Sequence, residues 1–174
     1  MGKEIKMKSN EVIFTKTDLS GRILFGNDVF EKMSGLKKEQ YIGKPHSIIR
    51  HQDMPKAIFK IMWDAIQKGE DLIAIIKNTT VDGNYYWVAT HFEVERDDNG
   101  KPIAYEAIRI PVSNKAKKEM EVFYKELRSI ERMKGVEASE KYIQDFLFIK
   151  NITFNDYMYA LINDKSILEK TLKI

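Results

Sequence analysis

The 174-residue chain contains no cysteine. That absence excludes disulfides, thiolate metal sites and cysteine nucleophiles together, along with any photosensor that works through a thiol adduct. No apolar run approaches the ~20 residues of a membrane span. The N-terminus, Met1-Gly2-Lys3-Glu4-Ile5-Lys6, lacks the apolar stretch of a secretory signal. With Lys at position 6, the Met-Gly start is no myristoylation signal. An excess of one charge sign is missing too: 29 basic and 26 acidic residues are interspersed, for a net charge of +3. There is no basic stripe interleaved with aromatics, so nucleic acid is not an expected partner. No phosphate-cradling glycine loop, His-Glu-x-x-His pattern or nucleophile elbow occurs, so an enzyme is not expected. The expected compartment is the cytoplasm, without direct membrane insertion.

What is present is a chain with enough apolar residues for a core (43%) and a charged surface (32%). Mean hydropathy is −0.42. The length fits one domain with an extension.

Strand patterns occupy residues 12–17 and 22–25, separated by the turn Asp18-Leu19-Ser20-Gly21. Asn27-Asp28 offers an N-cap, Asp28 with Glu31 has capping-box spacing, and Gly35 stands where a helix ends. Another helical turn is expected over 37–41. A longer helix follows, with Asp53 as its cap, Pro55 in its first turn and Gly69 at its end. Three strands are then expected over 72–80, 85–94 and 102–110, joined by turns at Asp82-Gly83 and Asp97-Asp98-Asn99-Gly100. This order predicts an α+β fold: an antiparallel sheet with short helices over one face.

Beyond residue 113 the pattern turns helical. Ala116, Met120, Phe123, Leu127 and Ile130 repeat at four-three spacing, which makes one apolar seam. Further helices are expected over 139–149, 153–162 and 166–172, with Thr153 and Asp156 at capping-box spacing. The predicted organisation is an N-terminal segment (1–11), a sensor-type domain (12–112) and a helical extension (113–174). Deleting 136–174 is expected to leave ligand binding intact and weaken partner binding.

The chemistry concentrates in Lys44-Pro45-His46-Ser47-Ile48-Ile49-Arg50-His51-Gln52-Asp53-Met54-Pro55. Such a loop can hold phosphate, ligate a metal or haem, or cap a helix. Arg50 suits phosphate through charge-assisted, often bidentate hydrogen bonds, or it forms a surface ion pair. His46 or His51 could serve haem iron as an axial imidazole, or be a hydrogen-bonded loop residue. His91 reads as structural. Phe59 and Trp63 are core aromatics or the flat walls of an apolar slot. Asn27 and Asn78 are amides able to donate and accept, near a ligand or as caps.

Taken in order, Asn27-Asp28-Val29-Phe30, Ser34-Gly35, Gly43-Lys44-Pro45-His46, Arg50-His51-Gln52-Asp53-Met54-Pro55, Met62-Trp63, Lys77-Asn78 and Tyr86-Trp87-Val88 resemble Aer-type PAS domains over residues 12 to 111. The resemblance implies a five-stranded antiparallel PAS sheet and non-covalently bound FAD whose redox state is sensed. It implies FAD contacts at Asn27, Arg50, His51, Asp53, Phe59 and Trp63, with Asn78 placed near the ring. Gln52 stands where the family usually has Pro, and Leu72-Ile73-Ala74 where it commonly has a Trp and a Gly. The expected function is a cytoplasmic redox or energy sensor in aerotaxis. Its expected partner is a separate membrane-bound, methyl-accepting chemoreceptor with a HAMP-type segment, and it could act as a homodimer. A haem-binding oxygen sensor and a cofactor-free interaction module are the alternatives.

Overall fold

Aspartate turns set the strand connections. Asp18 accepts from the Ser20 and Arg22 N–H groups and from the Ser20 hydroxyl, closing the hairpin of β1 (Ile13–Thr17) and β2 (Ile23–Gly26). Asp97 does the same through the Asn99 and Lys101 N–H groups between β4 (Tyr85–Arg96) and β5 (Pro102–Ile110). Between β3 (Leu72–Thr79) and β4, the Thr80 hydroxyl accepts from Asn84 N–H. The computed structural model describes residues 2–163. Its five strands form one antiparallel sheet in the order β2-β1-β5-β4-β3, as the turn signals predict.

Four short segments lie between β2 and β3: α1 (Asp28–Ser34), α2 (Lys38–Tyr41), a 3₁₀ turn (His46–Ile49) and α3 (Lys56–Gln67). They cover the inner face of the sheet. Gly35 closes α1 in a left-handed conformation, φ 73°, where its N–H bonds Glu31 O. Two capping expectations are corrected. Asn27, not Asp28, caps α1 through Phe30 N–H, and Glu31 instead accepts from the Tyr41 hydroxyl. Asp53 does not cap α3. The N-cap position is Pro55, which has no capping side chain, and the free Lys56 and Ala57 N–H groups bond Glu131 at 3.1 and 2.9 Å. A carboxylate 74 residues away in sequence does the work of a local cap.

The extension forms α4 (Asn114–Lys134), α5 (Val136–Lys150) and α6 (Phe154–Ile162). The Thr153–Asp156 capping box is present. The expected helix over 166–172 lies outside the described residues. Ala116, Met120 and Leu127 of the predicted seam are buried. Phe123 and Ile130 are half-buried, and Tyr124 takes the central place: its ring stacks on Trp87 and its hydroxyl donates to Ile75 O at 2.6 Å.

These helices close the exposed edge of β3. An unpaired edge is a template for unwanted pairing. Here Ile73 N–H bonds the Asn155 side chain of α6, Ile75 O accepts from Tyr124, Lys77 N–H meets the Met54 sulfur, and Arg50 forms an antiparallel bridge to Asn78. Ile143, Phe154, Tyr157, Met158 and Leu161 join the same hydrophobic core as Ile58, Ile75 and Val88. Residues 136–163 therefore pack on their own sheet and helices, which the sequence left open.

Candidate functional site

The inner face of the sheet and α3 enclose a cavity of about 180 Å³. Strand alternation decides which side chains reach it. Thr15 and Thr17 of β1, Tyr105, Ala107 and Arg109 of β5, Phe92 of β4, and Ile76 and Asn78 of β3 form its floor. From α3, Phe59, Met62, Trp63 and Ile66 form the opposite wall at helical spacing. Pro45, His46, Ser47 and Arg50 complete the rim, with Ser20, Gly21 and Glu106. Trp63 meets Tyr105 edge-on at 5.9 Å. The indole also lies against Gly21, where a Cβ would come within 2.9 Å of the ring. Only glycine lets the β1–β2 turn approach this closely.

The floor holds a buried cation. The Arg109 guanidinium donates to the Thr15 hydroxyl at 2.8 Å, to Ala107 O at 3.4 Å and to His46 Nε2 at 2.9 Å. Arg109 is 3% exposed, and no ion pair joins it to a carboxylate of the described residues. Burial pushes its pKa down to about 10. Because arginine can only donate, His46 Nε2 must carry a lone pair, so the proton sits on Nδ1. Burial, together with the charge of Arg109, pushes His46 down to about 3, and it stays neutral. On this side of the sheet Thr90 Oγ1 is buried without a hydrogen-bond partner among the described residues, while the Tyr86 hydroxyl lies beside the Asn78 amide.

The structure brings together four of the seven residues expected at the site: Arg50, Phe59, Trp63 and Asn78. The Arg50 guanidinium lies 3.7 Å from the centre of the Phe59 ring at the cavity mouth, a cation–π contact worth about 0.5–1 kcal/mol. Burial lowers its pKa below the ordinary arginine value. Asn27 does not line the cavity. Its side chain accepts from Phe14 and Phe30 N–H and donates to Val12 O, tying β1 to α1.

His51 and Asp53 also sit outside the cavity, on its outer side. His51 Nδ1 accepts from Asp53 N–H at 3.0 Å, and its ring packs edge-on against Tyr85. Asp53 pairs with Lys77 at 2.8 Å and with Arg128 of α4 at 3.0 Å. Neither histidine offers haem a free nitrogen into the cavity, since Arg109 takes His46 Nε2 and His51 faces away. Among the described residues no cluster of three or more His, Asp or Glu could hold a metal ion.

Arg109, Thr15, Phe92 and Tyr105 escaped the sequence reading. The parity of β5 was the available signal: Tyr105, Ala107 and Arg109 alternate onto one face. Leu72, where a Trp is common in the resembling family, is buried on the inner face of β3. Phe59, Trp63, Phe92 and Tyr105 supply the aromatic surface instead.

A planar aromatic ligand with a polar edge fits this donor set. Flat apolar walls face each other, and the floor carries a buried guanidinium with no acid partner among the described residues. The isoalloxazine of FAD has that character. The volume is below the ~300–1,000 Å³ usual for whole-ligand pockets, so it suits a ring system rather than an entire dinucleotide.

A family described as PAS fold matches residues 23–109. The aerotaxis receptor of Escherichia coli K12 is 34% identical over 123 residues, 71% of this chain and 24% of the receptor. The chain thus spans about a quarter of that relative's length. The light-state structure of the blue-light photoreceptor Aureochrome1 LOV superposes with a TM-score of 0.56 at 26% identity, covering 62% of this chain and 86% of the other. A Light-Oxygen-Voltage domain studied with a flavin analogue gives a TM-score of 0.56 at 21% identity, covering 63% and 84%, a likeness of fold. No described helix is long and apolar enough to cross a membrane.

Proposed function

We propose that this chain, which belongs to the PAS fold family, is a cytoplasmic redox sensor that binds FAD non-covalently and signals to a separate membrane chemoreceptor in energy taxis. The observation that carries this reading is the cavity itself: aromatic walls from α3 and the sheet close on a floor whose guanidinium has no acid partner. The 34% identity to an aerotaxis receptor supports the physiological setting. FAD would supply the electron-accepting chemistry.

The protein's own groups have distinct tasks in this reading. Phe59, Trp63, Phe92 and Tyr105 exclude water and hold the ring plane. Asn78 offers both a donor and an acceptor from the floor, so it can follow a change of protonation on the ligand. Arg50, free to leave the Phe59 face, neutralises phosphate at the mouth. With no cysteine, a thiol adduct cannot form, which separates this site from light sensing of that kind.

The relay runs outward through the loop after Arg50. Arg50 bridges Asn78, and three residues later Asp53 is paired with Arg128. A shift at the cavity floor therefore reaches α4 without passing through solvent. The receptor partner, with a HAMP-type segment, would read the position of the extension, as a monomer or a homodimer of this chain. The role proposed is sensing, not catalysis. Purified protein should carry or take up FAD and bleach on reduction. Protein that remains colourless after reconstitution with FAD contradicts the reading.

A further inference from the structure

We propose that Arg109, held by Thr15 and neutral His46, is the residue that orients the bound ring and selects its reduced, negatively charged form. The inference rests on the flavin reading above and adds to it a residue, a ring orientation and a charge preference.

A buried guanidinium is normally paired, because desolvating an isolated charge costs several kcal/mol. Arg109 is buried, and among the described residues its partners are two neutral side chains and one backbone carbonyl. These contacts use three of its five N–H donors. Arg109 lines the cavity together with Thr15, Ala107 and Asn78.

The lining is uneven in chemistry. Met62, Ile66 and Phe92 contribute no charged group, the Glu106 carboxylate pairs with Lys16 at 3.9 Å, and Arg109, His46 and Thr15 form a cationic, hydrogen-bonded cluster. An isoalloxazine has the same asymmetry, with a dimethylbenzene edge that accepts no hydrogen bond and a carbonyl-rich edge that does. Only one orientation spares the guanidinium, the carbonyl edge against Arg109. Addition of two electrons and one solvent proton leaves the ring with one negative charge, on that same edge. A fixed cation in contact with it binds the reduced ring more tightly than the oxidised one, and charge at this position is a known means of tuning a flavin. His46 supports the arrangement as a positioning residue: its lone pair fixes one guanidinium nitrogen, and in the neutral state it adds no competing positive charge.

The test uses the full chain reconstituted with FAD and titrated potentiometrically with dithionite as electron donor. For Arg109→Gln, the ratio of affinities for reduced and oxidised FAD is expected to fall at least tenfold, a midpoint lowered by about 30 mV for a two-electron couple. Arg109→Lys, which keeps the charge, should recover part of that loss. Should Arg109→Gln fail to fold, the wild-type pH dependence decides. In mildly acidic buffer, where free FAD takes up two protons with two electrons, its slope is about 59 mV per pH unit; the bound form should show about 30. A variant midpoint equal to wild type, or a wild-type slope equal to that of free FAD, overturns this inference and leaves flavin binding standing. A wild-type chain that takes up no FAD overturns the functional reading, and this inference with it.

Discussion

Asp53, on the loop that rims the cavity, pairs with Arg128 of α4 at 3.0 Å while its other oxygen holds Lys77 of β3 at 2.8 Å. One carboxylate thus joins the loop, the edge strand and the extension. Lys77 is nearly buried, and its ammonium also lies 4.2 Å from the centre of the Tyr85 ring. Asp53→Asn leaves that ammonium without its anion and should cost about 2 kcal/mol. Arg128→Ala removes a more exposed contact and should cost below about 1 kcal/mol. Urea unfolding of both variants checks the order, and equal losses would contradict it.

The same carboxylate gives the extension an acid sensitivity. Burial opposes its charge, but the Lys77 hydrogen bond and the charges of Lys77, His51 and Arg128 prevail and hold its pKa below the usual aspartate value. A depressed folded pKa contributes stability above the unfolded value, lost as pH falls through the folded one. Hydrogen exchange in α4 should therefore accelerate below about pH 4, and less so in Asp53→Asn.

His46 adds a dependence at higher pH. It remains neutral in the fold with a pKa near 3, whereas the unfolded chain protonates near 6.5. Below about pH 6.5 the unfolded state binds the extra proton, so stability falls with pH and the trend levels near pH 3. Between pH 7 and 5 this should remove roughly 1–2 kcal/mol. His46→Gln should flatten the profile, and an unchanged profile would count against a neutral His46.

Glu131 is the cap that α3 lacks locally. Replacing it with Ala should cost about 1 kcal/mol, as for other N-cap losses. Because α3 carries Phe59, Met62 and Trp63, the same change should weaken FAD uptake although Glu131 does not line the cavity. Unfolding and ligand titration of one variant test both effects.

The structure revises the expected result of truncation. Removing residues 136–174 takes away Ile143, Phe154, Tyr157, Met158 and Leu161 from the core and Asn155 from the β3 edge. Each buried side chain is worth about 1.5–3 kcal/mol. The truncated chain should lose several kcal/mol and associate through its exposed strand. A monomeric truncated chain of wild-type stability would contradict the docking described above.

How far the sequence revealed this depended on the range over which each feature is determined. Hairpins were legible because Asp18 and Asp97 act on backbone within four residues. Helix ends at Gly35 and Gly69 were legible for the same reason. Phe59 and Trp63 line the cavity together because helical spacing puts them on one face of α3. Asp53 looked like a cap by local sequence, yet a distant Glu131 occupies that role. Asn27 reads as a ligand or a cap; it is the cap of α1 through Phe30 N–H, and its other partners are the backbone of Val12 and Phe14, 15 and 13 residues away. Arg109 was hidden because a lone arginine in a strand ordinarily faces solvent. Only the closure of the sheet over His46 and Thr15 gives it a meaning.

The most direct measurement is the visible absorption spectrum of the purified full chain before and after incubation with FAD, followed by reduction. The account predicts a yellow protein with stoichiometric flavin bands that bleach on reduction, and uptake sharply reduced in Trp63→Ala. A chain that stays colourless after FAD has been offered and removed would contradict its central claim.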